Sequence, residues 1–468
     1  MPHMQSDARS ETGPNLDSRG PFFLDPTPPT GATLRARLLS AFVKRSKAGE
    51  VRALLDGDAV VESALAEHGL DLDRLFETIE HLENASPDEF RAALHAVGGP
   101  HADELRSFFT WHYRMFSMFD AERVEETRRI SAEYFPEGSF EHDFIESNWL
   151  CRQAYQGVLP DVTQTLLRLA DRWREEDQES LYLRSVILTS AGDTALLEGD
   201  HRRAKRAFEE ARFISRKNAF LVHFAVVQKL ARLLVACAQY EKALKLHQDP
   251  TLRAFAKEHG ARRWLARSHY EAARCAIEVG DFDTVREELA RSSRVYGDDA
   301  PASVEACNLI YTACWAQREA HFEDAAARLA DARAVISPTR DKETPLLIRV
   351  VEAEAHLLRT PPDVEAFTAA TEEVLHDAER VGAQNIVDRI LFTRSFFGDV
   401  PTRAIVNPYR RLRACANEMW RARDEGDSAR VEDALDRIES LRPRLIDGVY
   451  LETVELAVEK RLPLAGLD

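Results

Sequence analysis

The side chains that could act in catalysis or hold a metal are spread along the chain rather than gathered in a motif. The sequence lacks the patterns GxxxxGK[ST], GxSxG and HExxH, and its fifteen histidines are dispersed. The dipeptide His376-Asp377 would need further ligands at helical spacing to bind a metal. Cys307 and Cys314 lie two helical turns apart, roughly 10 Å, which is too far for a disulfide. We therefore predict a non-enzymatic protein with no metal and no cofactor.

Two arginine-rich stretches could contact phosphate groups. Residues 200–217 carry seven cations against three carboxylates, and residues 403–423 carry six arginines against Glu418. No helix-turn-helix signature adjoins either stretch. The whole chain has 79 acidic and 62 basic residues, a net charge of −17, which argues against a broad footprint for nucleic acid or anionic lipid. We predict that both stretches are solvated helix faces and that nucleic acid is not a partner.

The composition is that of a helical protein with a buried core. The chain has 468 residues, 44% apolar and 30% charged, with only 20 glycines and 20 prolines, which fits two to four domains or one repetitive array. No apolar stretch reaches eighteen residues, so no membrane span is encoded. The six cysteines are scattered in apolar runs, as in a reducing compartment. We predict a cytoplasmic protein that begins with a disordered, proline-rich leader.

One segment, residues 185–217, has the pattern of two antiparallel helices joined by a tight turn. Apolar residues recur at helical spacing on both sides of a Gly-Asp dipeptide, and small residues allow the two backbones to approach closely. This segment resembles the tetratricopeptide (TPR) motif. The residues at the offsets of that family's small, turn and packing positions are Gly192, Gly199, Asp200, Ala204, Phe208 and Ala211.

The turn of this hairpin recurs along the chain about every 40 residues. Successive turns are separated by 40, 42, 39, 42, 40 and 40 residues and fall at Ser117, Gly157, Gly199, Ala238, Gly280, Ala320 and Thr360. The TPR family has a period of about 34 residues, so these units are longer by roughly six. In this they are similar to the longer repeats found in the sensor arms of bacterial regulatory proteins.

A single helix pair cannot bury its apolar stripe, so consecutive pairs must stack on one another. We predict an all-α fold, a right-handed α-solenoid of antiparallel helix pairs that follows a helical N-terminal segment. The predicted divisions are a leader at 1–32, an N-terminal helical segment or cap at 33–104, TPR-like repeats at 105–380, and divergent C-terminal repeats with a polar cap at 381–468. Residues 426–427 are a second Gly-Asp turn within that last division.

The resemblance implies a concave groove lined by the first helix of each pair. Inward-pointing side chains of those helices contact the ligand in that family, and the corresponding residues here are Asn148, Gln228, Arg232, Arg267, Tyr270, Arg274, Asn308 and Gln317. The planar fork of arginine suits carboxylates, so an acidic peptide or a peptide C-terminus is the expected ligand. The alternative is that these arginines are solvated and held in internal ion pairs.

We therefore expect a protein- or peptide-binding scaffold or regulatory sensor. One alternative is a transcription-associated regulator, in which another helical segment contacts DNA or RNA polymerase. A second alternative is an enzyme with an unrecognised site where the N-terminal segment meets the first repeats.

Overall fold

The computed structural model describes residues 34, 37, 38, 41, 48–99, 101–117, 121–155, 161–175, 177–218, 222–258, 261–297, 300–336 and 343–459. Every regular element in these ranges is a helix, so the predicted all-α class is confirmed. The predicted leader, residues 1–32, lies outside the described residues, as does the predicted turn at Gly157. No helix in the described ranges has the length and apolar character that crossing a membrane requires.

Eight helices form the N-terminal part of the described chain. They are α1 (Ala48–Leu55), α2 (Ala59–Glu67), α3 (Leu72–Asn84), α4 (Pro87–Ala96), α5 (Ala102–Ser117), α6 (Ala121–Tyr134), α7 (Phe140–Tyr155) and α8 (Val162–Arg172). Helix α4 begins with a capping box, in which the Ser86 hydroxyl accepts the Glu89 N–H at 3.3 Å and the Glu89 carboxylate accepts the Ser86 N–H at 2.7 Å. Such local bonds satisfy the first amides of the helix.

Eleven helices follow, and most of them pack against the next helix in the chain. They are α9 (Gln178–Leu197), α10 (His201–Lys217), α11 (Val222–Ala236), α12 (Tyr240–His247), α13 (Pro250–Glu258), α14 (Arg262–Val279), α15 (Phe282–Tyr296), α16 (Ala302–Arg318), α17 (Phe322–Val335), α18 (Thr344–Leu357) and α19 (Val364–Val381). The most extensive contacts join α9 to α10, α14 to α15 and α16 to α17. Contacts also link α9 to α11, α11 to α14, α14 to α16 and α16 to α18, so the first helices of successive pairs form a continuous row.

Four of the predicted turns have left-handed backbone at the residue that marks them. The φ angles are 70° at Gly199, 54° at Ala238, 76° at Gly280 and 61° at Ala320. Each of these residues lies between the two helices of a pair, where the chain must reverse. The left-handed conformation satisfies carbonyls at the end of the first helix and starts the reversal within two residues.

The predicted close approach of α9 and α10 is present. Phe208 on α10 is fully buried, and its ring lies so close to Gly192 of α9 that a Cβ at that position would collide with it. Ala211, one turn further along α10, is also fully buried. The small residue at position 192 therefore sets the distance between the two helices.

Four helices complete the described chain. They are α20 (Gln384–Arg394), α21 (Pro408–Glu425), α22 (Ser428–Ser440) and α23 (Asp447–Glu459), with 3₁₀ turns at Thr402–Ala404 and Arg442–Arg444. Helices α21 and α22 form the expected hairpin, in which Gly426 has a φ of 75° and the Asp427 carboxylate accepts the Arg430 N–H at 3.1 Å.

The C-terminal helices return to the middle of the chain and pack against α9, α10 and α11. One buried cluster joins Ala195, Ala204, Phe208, Leu230, Leu233 and Cys237 to Leu412, Cys415, Ala416, Ile438, Leu441, Leu445, Val449 and Tyr450. The Asn407 side-chain amide donates to the Ala236 carbonyl at 3.1 Å, and Arg202 forms an ion pair with Asp447 at 3.1 Å. One face of the hairpin formed by α21 and α22 is thus buried against earlier helices.

Candidate functional site

A cavity of about 140 Å³ lies where the returning C-terminal helices face the row of first helices, and we call it the inner cavity. Its walls come from α11, α12, α14, α16, α18, α20 and α21. Apolar groups such as Ile277, Leu357 and Phe392 form part of the wall. The charged and phenolic side chains that line it are Tyr240, Arg274, Glu278, Arg318, Glu354, Arg389, Tyr409, Arg410 and Arg413.

The wall of the inner cavity carries five arginines and two glutamates. Both glutamates are already held by arginines of the wall. The Arg389 Nε donates to Glu354 Oε1 at 2.7 Å in a two-pronged pair, and Arg318 lies 3.7 Å from Glu278. The lining thus contains more arginines than carboxylates, which favours an anion in the cavity.

Arg274 lines the inner cavity from α14 and is paired with a carboxylate of its own helix. Its Nη1 lies 3.4 Å from the Oε2 of Glu271, one turn earlier on the same helix. Burial lowers the pKa of Arg274, but Tyr311 and Glu271 outweigh that effect and raise the pKa above its usual value. Burial likewise opposes ionisation of Glu271, yet nearby arginines and His247 keep its pKa lowered. Both groups are therefore charged at neutral pH.

Arg410 lies in the first turn of α21 and is the least compensated cation of the wall. Its Nη1 donates to the Asn385 carbonyl at 3.3 Å, and no carboxylate of a described residue lies within 4.0 Å of its guanidinium. Burial lowers the pKa of Arg410, and the neighbouring cations Arg389 and Arg274 lower it further against the opposing effects of Tyr240 and Asp388. A half-buried cation in this setting is stabilised when an anion approaches.

The backbone at the start of α21 is fixed by a buried carboxylate. Asp388, which is 4% exposed, accepts the Val406 N–H at 2.9 Å and the Asn407 N–H at 2.6 Å. Asn407 also caps α21 by accepting the Arg410 N–H at 3.1 Å. These bonds, together with the bond from Asn407 to Ala236, position the start of α21 and Arg410 relative to α20 and α11.

Arg413 follows Arg410 by one turn on α21 and is only 6% exposed. Its guanidinium carbon lies 5.3 Å from the ring centre of Phe392, 5.7 Å from that of Phe396 and 6.0 Å from that of Tyr409. Aromatic faces stabilise a cation without neutralising its charge. The sequence pattern predicts a solvated face for residues 403–423, and for Arg413 this prediction is wrong because the returning helices bury it.

Two of the eight predicted groove residues, Arg274 and Gln317, line the inner cavity. The Gln317 side-chain amide also donates to the Val351 carbonyl at 3.0 Å, which ties α16 to α18. Tyr270 lies one turn before Arg274, is 9% exposed, and has its ring centre 6.1 Å from that of Tyr311. Arg267 is half-buried on the same helix and does not reach the cavity wall.

The other four predicted residues are apart from the inner cavity. Gln228 lines a separate pocket of only about 10 Å³, and Arg232 is exposed on α11. Asn308 is half-buried, with its Nδ2 3.5 Å from the Ser293 hydroxyl. Asn148 donates to the Phe144 carbonyl of its own helix at 2.8 Å. The eight residues therefore do not form a single surface.

Four arginines of the inner cavity were not identified from the sequence as site residues: Arg318, Arg389, Arg410 and Arg413. The only sequence signal was the density of arginines in residues 403–423, which by itself is equally typical of an exposed helix. Their convergence depends on the return of α21 to the middle repeats, and no local pattern encodes that return.

In the dipeptide His376-Asp377, the aspartate is held by two arginines. The Asp377 carboxylate accepts hydrogen bonds from Arg349 at 2.7 Å and from Arg380 at 2.9 Å on the surface of α19. In the part of the chain that the structure describes, no three His, Cys, Asp or Glu side chains converge as a metal site.

The chain matches no protein-family model and no curated protein. The chemistry that the arrangement supports is the binding of an anion by converging guanidinium groups.

Proposed function

We propose that this protein is a TPR-like scaffold or regulatory sensor that captures an acidic group of a partner protein or peptide in its inner cavity. The observation that carries this proposal is the wall of five arginines against two glutamates, both glutamates being already in ion pairs. Guanidinium groups bind carboxylates with charge-assisted hydrogen bonds. The arginines of the cavity can thus replace the hydrogen bonds that a carboxylate loses when it leaves water.

The volume of the cavity limits what enters it. A cavity of about 150 Å³ holds a molecule the size of benzene, so about 140 Å³ accepts one acidic side chain or one chain end. The rest of a partner segment lies outside, against the surfaces of the repeats. The partner is therefore recognised by a single inserted acidic residue rather than by a peptide that runs through a groove.

Several observations support the finer description of the fold in this proposal. Left-handed turns at Gly199, Ala238, Gly280 and Ala320 occur at the spacing of about 40 residues, and the row of first helices is what a solenoid requires. We propose a right-handed TPR-like array on this basis. The six cysteines, all free, support a cytoplasmic location.

A peptide-binding assay tests the proposed function. A fluorescent decapeptide that ends in Asp-Glu-Glu with a free carboxyl terminus is compared with the neutral peptide that ends in Asn-Gln-Gln-amide. Binding is measured by fluorescence anisotropy for the natural protein, for Arg410→Gln, and for Arg380→Gln as the control. Arg380 is an exposed arginine on α19 that pairs with Asp377 and lies outside the cavity wall.

The expected result is binding of the acidic peptide only, weakening with added salt, lost in Arg410→Gln and retained in Arg380→Gln. Equal binding of the acidic and neutral peptides, or equal effects of the two substitutions, would show that the inner cavity is not the site.

A further inference from the structure

We propose that the inner cavity also binds a compact free dianion, a small molecule with two carboxylate groups or with a phosphate group, which bridges Arg274 and Arg410. Bound there, the dianion locks the C-terminal helices onto the middle repeats and excludes the acidic group of a partner. The exclusion rests on the proposed function; binding of the dianion does not depend on it.

The first argument is the size and position of the cavity. Its walls come from the row of first helices on one side and from α20 and α21 on the other. The two sides are joined by the bond from Asn407 to the Ala236 carbonyl and by the close approach of Val406 to Gly199. A free molecule of about the size of succinate fits a volume of about 140 Å³ and can contact both sides.

The second argument is the placement of charge on the two sides. Arg274 belongs to α14, and Arg410 belongs to α21. The two cations face the same cavity and repel each other, since Arg274 is one of the charges that lower the pKa of Arg410. A dianion between them replaces this repulsion by two attractions, since guanidinium groups bind carboxylates and phosphates through charge-assisted hydrogen bonds.

The third argument is that no carboxylate of the described residues pairs with both arginines, since Glu271 pairs with Arg274 from the same helix and the other nearby carboxylates have different partners. Glu354 and Glu278 are bound by Arg389 and Arg318. The carboxylate oxygens of Asp388 accept hydrogen bonds from the backbone amides of the loop before α21 and from the side chain of Gln384. The cavity therefore lacks an internal anion that spans α14 and α21. Apolar side chains of the wall, among them Leu357 of α18, can contact the carbon skeleton of a ligand.

The probes that test this inference are succinate, inorganic phosphate and the neutral isostere succinamide. Binding is measured by calorimetry at a fixed ionic strength set with sodium chloride, for the natural protein, Arg410→Gln, Arg410→Lys and Arg380→Gln. We expect binding of succinate or phosphate but not of succinamide. We expect at least a tenfold loss in Arg410→Gln, partial recovery in Arg410→Lys, and no change in Arg380→Gln.

A second measurement tests whether the bound dianion locks the C-terminal helices onto the middle repeats. Hydrogen exchange of the Val406 and Asn407 amides, which bond to Asp388, should slow at least tenfold when the dianion is bound, because exchange there requires the start of α21 to move. The melting temperature should rise with the logarithm of ligand concentration. Circular dichroism of each variant verifies that it is folded.

The outcomes separate the two proposals. Binding of succinate alone identifies a dicarboxylate, and binding of phosphate alone identifies a phosphate ester; both support a dianion site. Binding of neither, equal binding of succinamide, or binding unchanged in Arg410→Gln overturns it. If succinate binds and the acidic peptide does not, the proposed function fails and this inference stands. If the peptide binds through Arg410 and neither anion binds, the proposed function stands and this inference fails.

Discussion

The close approach of the turn at Gly199 to the loop before α21 makes a specific prediction for two turn glycines. Gly199 and Gly280 occupy equivalent turns, with φ angles of 70° and 76°. A Cβ at Gly280 would have no atom within 4 Å, whereas a Cβ at Gly199 would collide with the carbonyl oxygen of Val406, in the loop before α21. Alanine at both positions therefore creates the same backbone strain, and only at position 199 does it also disturb the packing of the loop before α21.

The magnitudes follow from these two effects. Alanine in the left-handed region costs about 1–2 kcal/mol, partly offset by the reduced entropy of the unfolded chain, so Gly280→Ala should lower the free energy of unfolding by about 1 kcal/mol. Gly199→Ala adds the displacement of a packed backbone carbonyl, about 1–3 kcal/mol. The total loss for Gly199→Ala should therefore be about 2–4 kcal/mol.

Urea denaturation followed by circular dichroism measures both variants. Hydrogen exchange at the Val406 and Asn407 amides gives the local effect, which should be faster exchange in Gly199→Ala and unchanged exchange in Gly280→Ala. If the two substitutions lower the free energy of unfolding equally and leave exchange at these amides alike, the C-terminal helices do not rest on this turn and the reasoning fails.

Three further predictions concern buried side chains. Phe208→Ala should lower the free energy of unfolding by about 3–5 kcal/mol, measured in urea, because the ring joins α9 and α10 to the C-terminal helices. Glu288 is 1% exposed, and although its burial opposes ionisation, hydrogen bonds from His269 and Arg253 lower its pKa to about 2. The stability that this carboxylate provides is present above its ordinary pKa of 4.5 and should be lost as pH falls from about 5 towards 2, a loss that Glu288→Gln should flatten in denaturation at several pH values. Burial lowers the pKa of His201 to about 3, so its ring should remain neutral by NMR down to pH 4; protonation near pH 6.5 would contradict its burial.

Features that depend on a few neighbouring residues were readable from the sequence. The turns at Gly199 and Gly280 and the hairpin at Gly426 each depend on the backbone preference of a glycine or on a short-range hydrogen bond. The close packing of Phe208 on Gly192 followed from helical periodicity, since the partner helix is adjacent in the chain. Such features involve separations of at most one helix pair.

The inner cavity was not readable in this way. Two of its arginines, Arg410 and Arg413, have the sequence context of an exposed helix, and Arg274 was selected as one of eight residues of which only two reach the wall. The bond from Asn407 to Ala236 joins residues 171 positions apart. No periodicity indicates a contact of that range.

By itself the sequence determined the helices, the places where the chain reverses, and the side of each helix that is apolar, because these follow from backbone conformation and spacing within about 40 residues. Only the tertiary structure decided that the C-terminal helices pack against the middle of the chain and form an arginine-lined cavity there. That packing depends on side-chain contacts between residues far apart in the chain, so no single segment carries it.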